Sequence, residues 1–482
     1  ITSTTGEVVR QLFLPLVDEA PDYETIIPRL AESWSFSDDR RVLTFRLRDD
    51  VVWSDGVPVT SADVVFTYQA WTSPELAWEG ATALAAVEGV EAVDPHTVRF
   101  RFAHAYPTAL LDVAAGAVIL PAHAWGELPF AEWRENADWF RQHLVADGPF
   151  TLASWTPQQE IVLERNPRYY EEGLPRLDRV TIRVVPDQTA QLTQLLNGQL
   201  DFVFALSPDD VPRVERAPGA DVVSYWTRGY VAVAWNNRGE LFADPAVRRA
   251  MTYGIDRETL VGSIWGGFAR PIASPIPPET WAWSEEVEPL PYDPDQARRL
   301  LDAAGWVDGD GDGVREKDGR PFRFRLMTNT GNRQREDALV LIQDQLQRIG
   351  VAVEPQALEF HTMIEQLIAG EFDAAIMGWG IPTTFDFRYA YHTAEIGSTN
   401  VVGFSDPEVD RLLEEARQVE DLKAMGPYLD RLQEIQQELQ PYTFLWQSKR
   451  LLGIRERVQD ADPDHLRELG DLREWWLAPE GR

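Results

Sequence analysis

The 482-residue chain has no cysteine. That absence removes disulfides, thiolate metal sites, iron–sulfur clusters and cysteine nucleophiles together. It suits an extracytoplasmic life without oxidative folding. Lysine is nearly missing too, with Lys317, Lys423 and Lys449 standing beside abundant arginine; we read the skew as genomic GC bias. No run of about 18 apolar residues occurs, so nothing reads as a membrane span. The chain opens at Ile1 without a charged n-region and apolar h-region, so any export signal is expected to have been removed or never to have existed. Positive charge is scarce overall: 45 Lys and Arg face 78 Asp and Glu, for a net charge of −33. Such a balance excludes a nucleic-acid partner, which needs clustered cations, and docking by charge onto an anionic membrane.

Catalytic motifs are absent as well. The histidines are His96, His104, His123, His143, His361, His392 and His465, and none pair as HxxxH or HExxH. The stretch around Ser263, "VGSIWGG", lacks the GxSxG spacing of a nucleophile elbow. There is no GxxxxGK phosphate loop, and no GxGxxG follows a strand.

What is present is a large, core-forming chain. Its length exceeds the roughly 250–300 residues at which single cores stop growing, so two or more domains are expected. Two stretches echo one another, "QLLNGQLDF" at 194–202 and "QLIAGEFDA" at 366–374. The later one sits in a β-α-β-α-β pattern. "FRFRLMTN" alternates as a strand, Leu339, Ile342, Leu346 and Ile349 recur at helical spacing before Gly350, "VAVEPQAL" is a strand, a short helix closes at Gly370, and "FDAAIMGW" is a third strand. That order implies a parallel sheet with right-handed crossovers. The earlier stretch lies between "RVTIRVV" and "LDFVFAL", so a second α/β unit with its own sheet is expected. Asp244-Pro245, Asp256 and Asp293-Pro294 read as helix starts. The first third, with "VLTFRL", "HTVRFRF" and the pair "PFTLASW"/"EIVLERN", reads as an α+β region of antiparallel strands.

The loop "DGDGDGVREKDG" places Asp308, Asp310 and Asp312 at positions 1, 3 and 5 of an EF-hand-like calcium loop, Gly313 at 6, Val314 at 7 and Glu316 at 9. Position 12 is Gly319 instead of a bidentate acid. The loop is a candidate structural calcium site, and no cofactor is otherwise required. The 18 tryptophans suit a large, partly wet binding cleft.

Several blocks resemble the dipeptide/oligopeptide-type (family 5) solute-binding proteins of ABC importers: "LAESWSFSDDRRVLTFRLRDDVVWSDGVPVTSADVVFTY", "DGPFTLASWTPQQEIVLERNPRYY", "VAWNNRGELFADPAVRRAMTYGIDRETLV", "DPDQARRLLDAAGW" and "NVVGFSDPEVDRLLEEAR". The resemblance implies an α/β, two-lobed periplasmic-binding-protein fold (type II, large form) with an extra α+β subdomain on the first lobe. Lobe I would comprise 1–25, 171–250 and 450–482, the α+β subdomain 26–170, and lobe II 251–449. It implies a monomeric receptor, periplasmic or extracellular, with a lipid anchor in the full-length precursor as one route to the membrane. Such a receptor captures a peptide or oligosaccharide by hinge closure and hands it to permease subunits.

Ligands of open parallel sheets bind beyond the carboxyl ends of strands. With the resemblance, this nominates Asn329, Trp379, Gly380 and Asp386 from the second lobe and Phe13, Leu14 and Asn236 from the first. Peptide-binding members place an Asp three residues after the Gly-Trp pair to hold the α-ammonium. Here that position is Pro382, and Leu14 replaces a frequent Glu, so the site is expected to be more aromatic and less ionic. Two other classes compete: a secreted glycoside hydrolase, which facing carboxylates would mark, and a sensing receptor not coupled to uptake.

Overall fold

A computed structural model describes residues 3–479. The chain divides into two compact units. The first runs to Tyr225 and resumes at Leu451; the second is Trp226–Arg450.

The first unit is built on antiparallel sheet. Four strands lie in the order Ala31–Phe36, Val42–Leu47, Thr97–Phe102 and Val87–Asp94. Alternation turns Leu43, Phe45 and Leu47 inward, where Phe45 meets the Phe100 ring edge-on at 5.7 Å. The helix Ser61–Trp71 starts at a capping box in which Thr60 and Asp63 satisfy each other's backbone amides.

Three further strands, Phe150–Thr156, Glu160–Arg165 and Arg179–Arg183, form a second antiparallel sheet. This corrects the expectation of a second parallel unit. "RVTIRVV" pairs antiparallel with Glu160–Arg165, and "LDFVFAL" supplies only Phe202–Val203, antiparallel to Gly453–Ile454. Parallel strands are buried on both faces, whereas Arg179 and Arg183 keep this one half exposed at a sheet edge. The echo between 194–202 and 366–374 therefore records a shared helix stop. The helices Gln188–Leu196 and Phe360–Ala369 both end at a left-handed glycine, Gly198 (φ 72°) and Gly370 (φ 74°).

The second unit holds a mixed sheet: β1 (Gly229–Trp235), β2 (Arg323–Asn329), β3 (Ala352–Leu358), β4 (Ala374–Gly380) and β5 (Tyr442–Arg455), whose last residues pass into the first unit. The order is β3-β2-β4-β1-β5. β2 is parallel to β3 and β4, with the helices α1 (Arg333–Gln347) and α2 (Phe360–Ala369) as crossovers, while β1 is antiparallel to β4 and β5. Residues 226–250, which the sequence reading gave to the first lobe, lie in the second unit because β1 sits inside its sheet. Trp235 is fully buried there, stacked at a tilt on Phe242 (4.6 Å) and donating its indole N–H to Thr443 Oγ1 at 3.0 Å.

Helix starts follow the sequence signals. Asp244, Asp256 and Asp293 accept from Ala246, Thr259 and Gln296 amides at 2.8, 3.0 and 2.8 Å.

Candidate functional site

The carboxyl ends of β2 and β4 meet the start of α1, and a cavity of about 270 Å³ opens at this edge of the second unit's sheet. Gly378, Trp379 and Gly380 from β4 line it, together with Gly229 and Tyr230 from β1 and Trp446 from β5. The register explains the grouping: Gly229 lies opposite Gly380, Tyr230 opposite Trp379, and Val231 opposite both Gly378 and Trp446. Glycines at 229, 378 and 380 leave the strand ends open; the register puts Val231, Gly378 and Trp446 on one face of the sheet, with Arg335, and turns the Tyr230 and Trp379 side chains to the other. Trp379 packs edge-on to Tyr389 at 5.3 Å.

One charged side chain lines this cavity, Arg335. It occupies the third position of α1, behind Asn332, whose side chain accepts the Arg335 amide at 3.1 Å. Its Nη1 donates to Asn329 Oδ1 at 2.9 Å. Its Nη2 lies over Gly378, where an added Cβ would stand only 2.5 Å away. The guanidinium is half-buried, and among the described residues it has no ion-pair partner. Burial alone draws its pKa down from the ordinary value, without displacing it from the charged form at neutral pH.

The nominated residues separate into four groups. Asn329, Trp379 and Gly380 come together at this edge, Asn329 through its bond to Arg335. Asn236 lies at the opposite edge. β1 is antiparallel, so its end at Trp235 meets Ala374, and Asn236 sits roughly 20 Å along the strand from the cavity. There its Nδ2 donates to the Gly370 and Phe372 carbonyls at 3.2 and 2.7 Å, a turn-fixing role. Asp386 does not line the cavity; its oxygens accept the Arg388 amide (3.0 Å) and stand 3.4 Å from Arg417 Nε. Phe13 and Leu14 belong to the first unit, both 4% exposed. Phe13 packs edge-on to Trp53 and Trp125 at 6.4 and 5.7 Å, and the Leu14 amide donates to Asp147 Oδ1 at 2.9 Å.

Sequence reasoning missed Arg335, Tyr230 and Trp446. Arg335 carried a readable signal: the third position after an Asn cap ordinarily takes an acid, which suits the helix dipole, and a cation there is out of place. Tyr230 and Trp446 carried none, because the antiparallel placement of β1 and β5 brings them to the edge.

In the acidic loop, one carboxylate oxygen each from Asp308, Asp310 and Glu316 lies within 4.8 Å of the others. Asp308 also accepts the Gly311 and Gly313 amides, and Glu316 accepts the Gly309 amide. Asp312 stands outside that cluster, accepting the Val314 amide at 2.8 Å. The clustered oxygens fit a shared hard cation.

Comparison with known proteins places this geometry in a family. Residues 25–398 match the model of bacterial extracellular solute-binding proteins, family 5. The chain is 32% identical to the oligopeptide-binding protein AppA of Bacillus subtilis over 99% of its length and 88% of AppA. It superposes on the structure of AppA in complex with a nonapeptide with a TM-score of 0.83, covering 99% of this chain and 95% of that one at 30% identity. The structure of NikA from Brucella suis in complex with Fe(III)-EDTA shares the fold at 21% identity and a TM-score of 0.87, over 98% of this chain and 95% of its own. The fold is the α/β fold of the two-lobed periplasmic binding proteins. No helix among the described residues is long and apolar enough to cross a membrane. The chain belongs to the family 5 bacterial extracellular solute-binding proteins and is a solute-binding receptor of the kind that serves ABC importers.

Proposed function

We propose that this receptor captures an oligopeptide, or a solute of similar size, outside the cytoplasmic membrane and delivers it to an ABC permease. The observation that carries the reading is the match to the oligopeptide-binding AppA across 99% of the chain, ligand-bound structure included. The protein works as a monomer, and its task is binding without turnover. Bound solute shifts the population toward the conformer that makes more contacts with it, and that conformer is what the permease reads. The loop at 308–316 holds a calcium ion that braces the turn.

A second reading, a neutral oligosaccharide, is favoured by one observation. Pro382 stands where peptide-binding relatives are expected to carry an Asp, and Asp386 is occupied by Arg417. A free α-ammonium would therefore have no carboxylate at the cavity, and a buried unpaired charge is costly.

Native mass spectrometry of the protein as purified, followed by calorimetry with peptide and oligosaccharide libraries, decides between the two. Submicromolar peptide binding is expected. Oligosaccharide binding without peptide binding would replace the first reading with the second, and turnover of a chromogenic glycoside by pure protein would overturn both.

A further inference from the structure

The Arg335 guanidinium is held ready by the fold and left without a counter-charge. Asn329 fixes Nη1 at 2.9 Å. Gly378 gives Nη2 the room that any side chain would take. Nε is buried with no hydrogen-bond partner among the described residues. The nearby acids are committed elsewhere: Glu336 accepts the Gly331 amide at 2.9 Å, and Asp337 lies 3.7 Å from Arg333 Nε. A half-buried cation with no counter-charge is costly in the free protein, and the third position of a helix adds the unfavourable end of the dipole. Arginine is a good helix former anywhere in a helix, but in the first turn its charge works against the dipole. The same features all favour an anion placed in the cavity. The guanidinium fork matches a planar carboxylate and forms the stronger, charge-assisted kind of hydrogen bond. Val231 and Trp446 share the Gly378 face with the guanidinium, and no other lining residue bears a charge that would compete.

We propose that Arg335 is a specificity-determining residue of this receptor: it takes a carboxylate group of the bound solute, oriented by Asn329 and admitted by Gly378. The inference rests on the solute-receptor reading and names the chemical class that this edge of the sheet selects. A peptide would present its terminal carboxylate or an acidic side chain; a sugar would present a uronate or carboxyalkyl group.

The test pairs a peptide library carrying free C-terminal carboxylates with the same sequences as C-terminal amides. Both are titrated calorimetrically against the wild-type protein, Arg335→Gln and Arg335→Lys. The acid forms are expected to bind roughly 10- to 100-fold more tightly than the amides to wild type, the range of a charge-assisted pair. Arg335→Gln should weaken the acids far more than the amides and bring the two to equal affinity, a selective loss that a merely structural role would not give. Arg335→Lys, which keeps the charge and loses the fork, should fall between them. Equal binding of acids and amides by wild type, or a preference that survives in Arg335→Gln, would overturn the proposal. Should no peptide bind, the peptide reading fails, and acetate against acetamide decides the inference separately. Acetate should raise the melting temperature of wild type and not of Arg335→Gln, with acetamide inert; no Arg335-dependent effect of acetate would overturn the inference. Circular dichroism confirms that each variant is folded.

Discussion

Replacing Asp18 with Asn should destabilise the first unit more than almost any other conservative exchange. Asp18 is 7% exposed and sits among three arginines. Its Oδ1 lies 3.2 Å from Arg10 Nη1 and 2.6 Å from Arg467 Nη1, and its Oδ2 lies 2.6 Å from Arg29 Nε. Arg29 is itself buried, with further acids, Glu171 and Asp471, only at 3.9 and 4.0 Å. Asparagine keeps the shape and removes the charge, leaving the buried Arg29 only the distant Glu171 and Asp471 and taking from Arg467 its carboxylate at 2.6 Å. Breaking a buried pair in this way costs about 3–5 kcal/mol, a fifth or more of the roughly 5–15 kcal/mol that holds a typical domain. The pH dependence carries a sign. Burial alone would raise the Asp18 carboxyl, but Arg467, Arg29 and Arg10 outweigh it and hold it below its ordinary value of 3.8. A depressed folded pKa contributes stability above the unfolded value and loses it as pH falls through the folded one. The gap between wild type and Asp18→Asn should therefore be full at pH 7 and shrink below about pH 4. Calorimetry and urea unfolding followed by circular dichroism read both quantities, and calorimetry separates transitions if the chain does not unfold in one step. A loss under about 1 kcal/mol at pH 7, in the range of an exposed pair, would refute the reasoning, as would a gap unchanged on acidification.

Asp147 should behave in the opposite sense. It is 1% exposed, accepts the Leu14 amide through Oδ1, and leaves Oδ2 without a partner, so burial pushes its carboxyl well above the ordinary range. A raised folded pKa contributes stability that is fully present below the unfolded value and declines as pH rises. Asp147→Asn should gain on wild type between pH 4 and pH 7 in thermal melts, and a constant difference would contradict this. Gly378→Ala would put a methyl 2.5 Å from Arg335 Nη2 and 3.0 Å from the Tyr230 carbonyl. The guanidinium can swing away while the backbone gives slightly, so stability should fall by about 1 kcal/mol, the low end for an overpacked site. Solute affinity should drop roughly tenfold by calorimetry, and unchanged affinity would place the ligand elsewhere. Millimolar calcium should raise the melting temperature by mass action, and Asp310→Ala should abolish the shift; a shift that survives in the variant would remove Asp308, Asp310 and Glu316 from the site.

Much of the local structure was written in the sequence. Alternation marked Arg323–Asn329 and Val42–Leu47, and Asp caps marked three helix starts, because each signal acts within a few residues. The β-α-β-α-β order of the second unit followed from the same signals, and with it the edge where Asn329, Trp379 and Gly380 meet. Strand direction was not local. Nothing within Gly229–Trp235 says that it runs against Ala374–Gly380, yet that choice sends Asn236 to the far edge and brings Gly229 and Tyr230 to the cavity. Nor does anything within Arg179–Arg183 say that it closes an antiparallel sheet.

The sequence alone determined the family, the binding class and the helix and strand periods, since those depend on residue type and spacing. Tertiary structure alone decided which side chains share the cavity and which charges lack partners. Burial and counter-charge belong to positions in space, and Arg335 is a surface-like residue until β4 and the start of α1 enclose it.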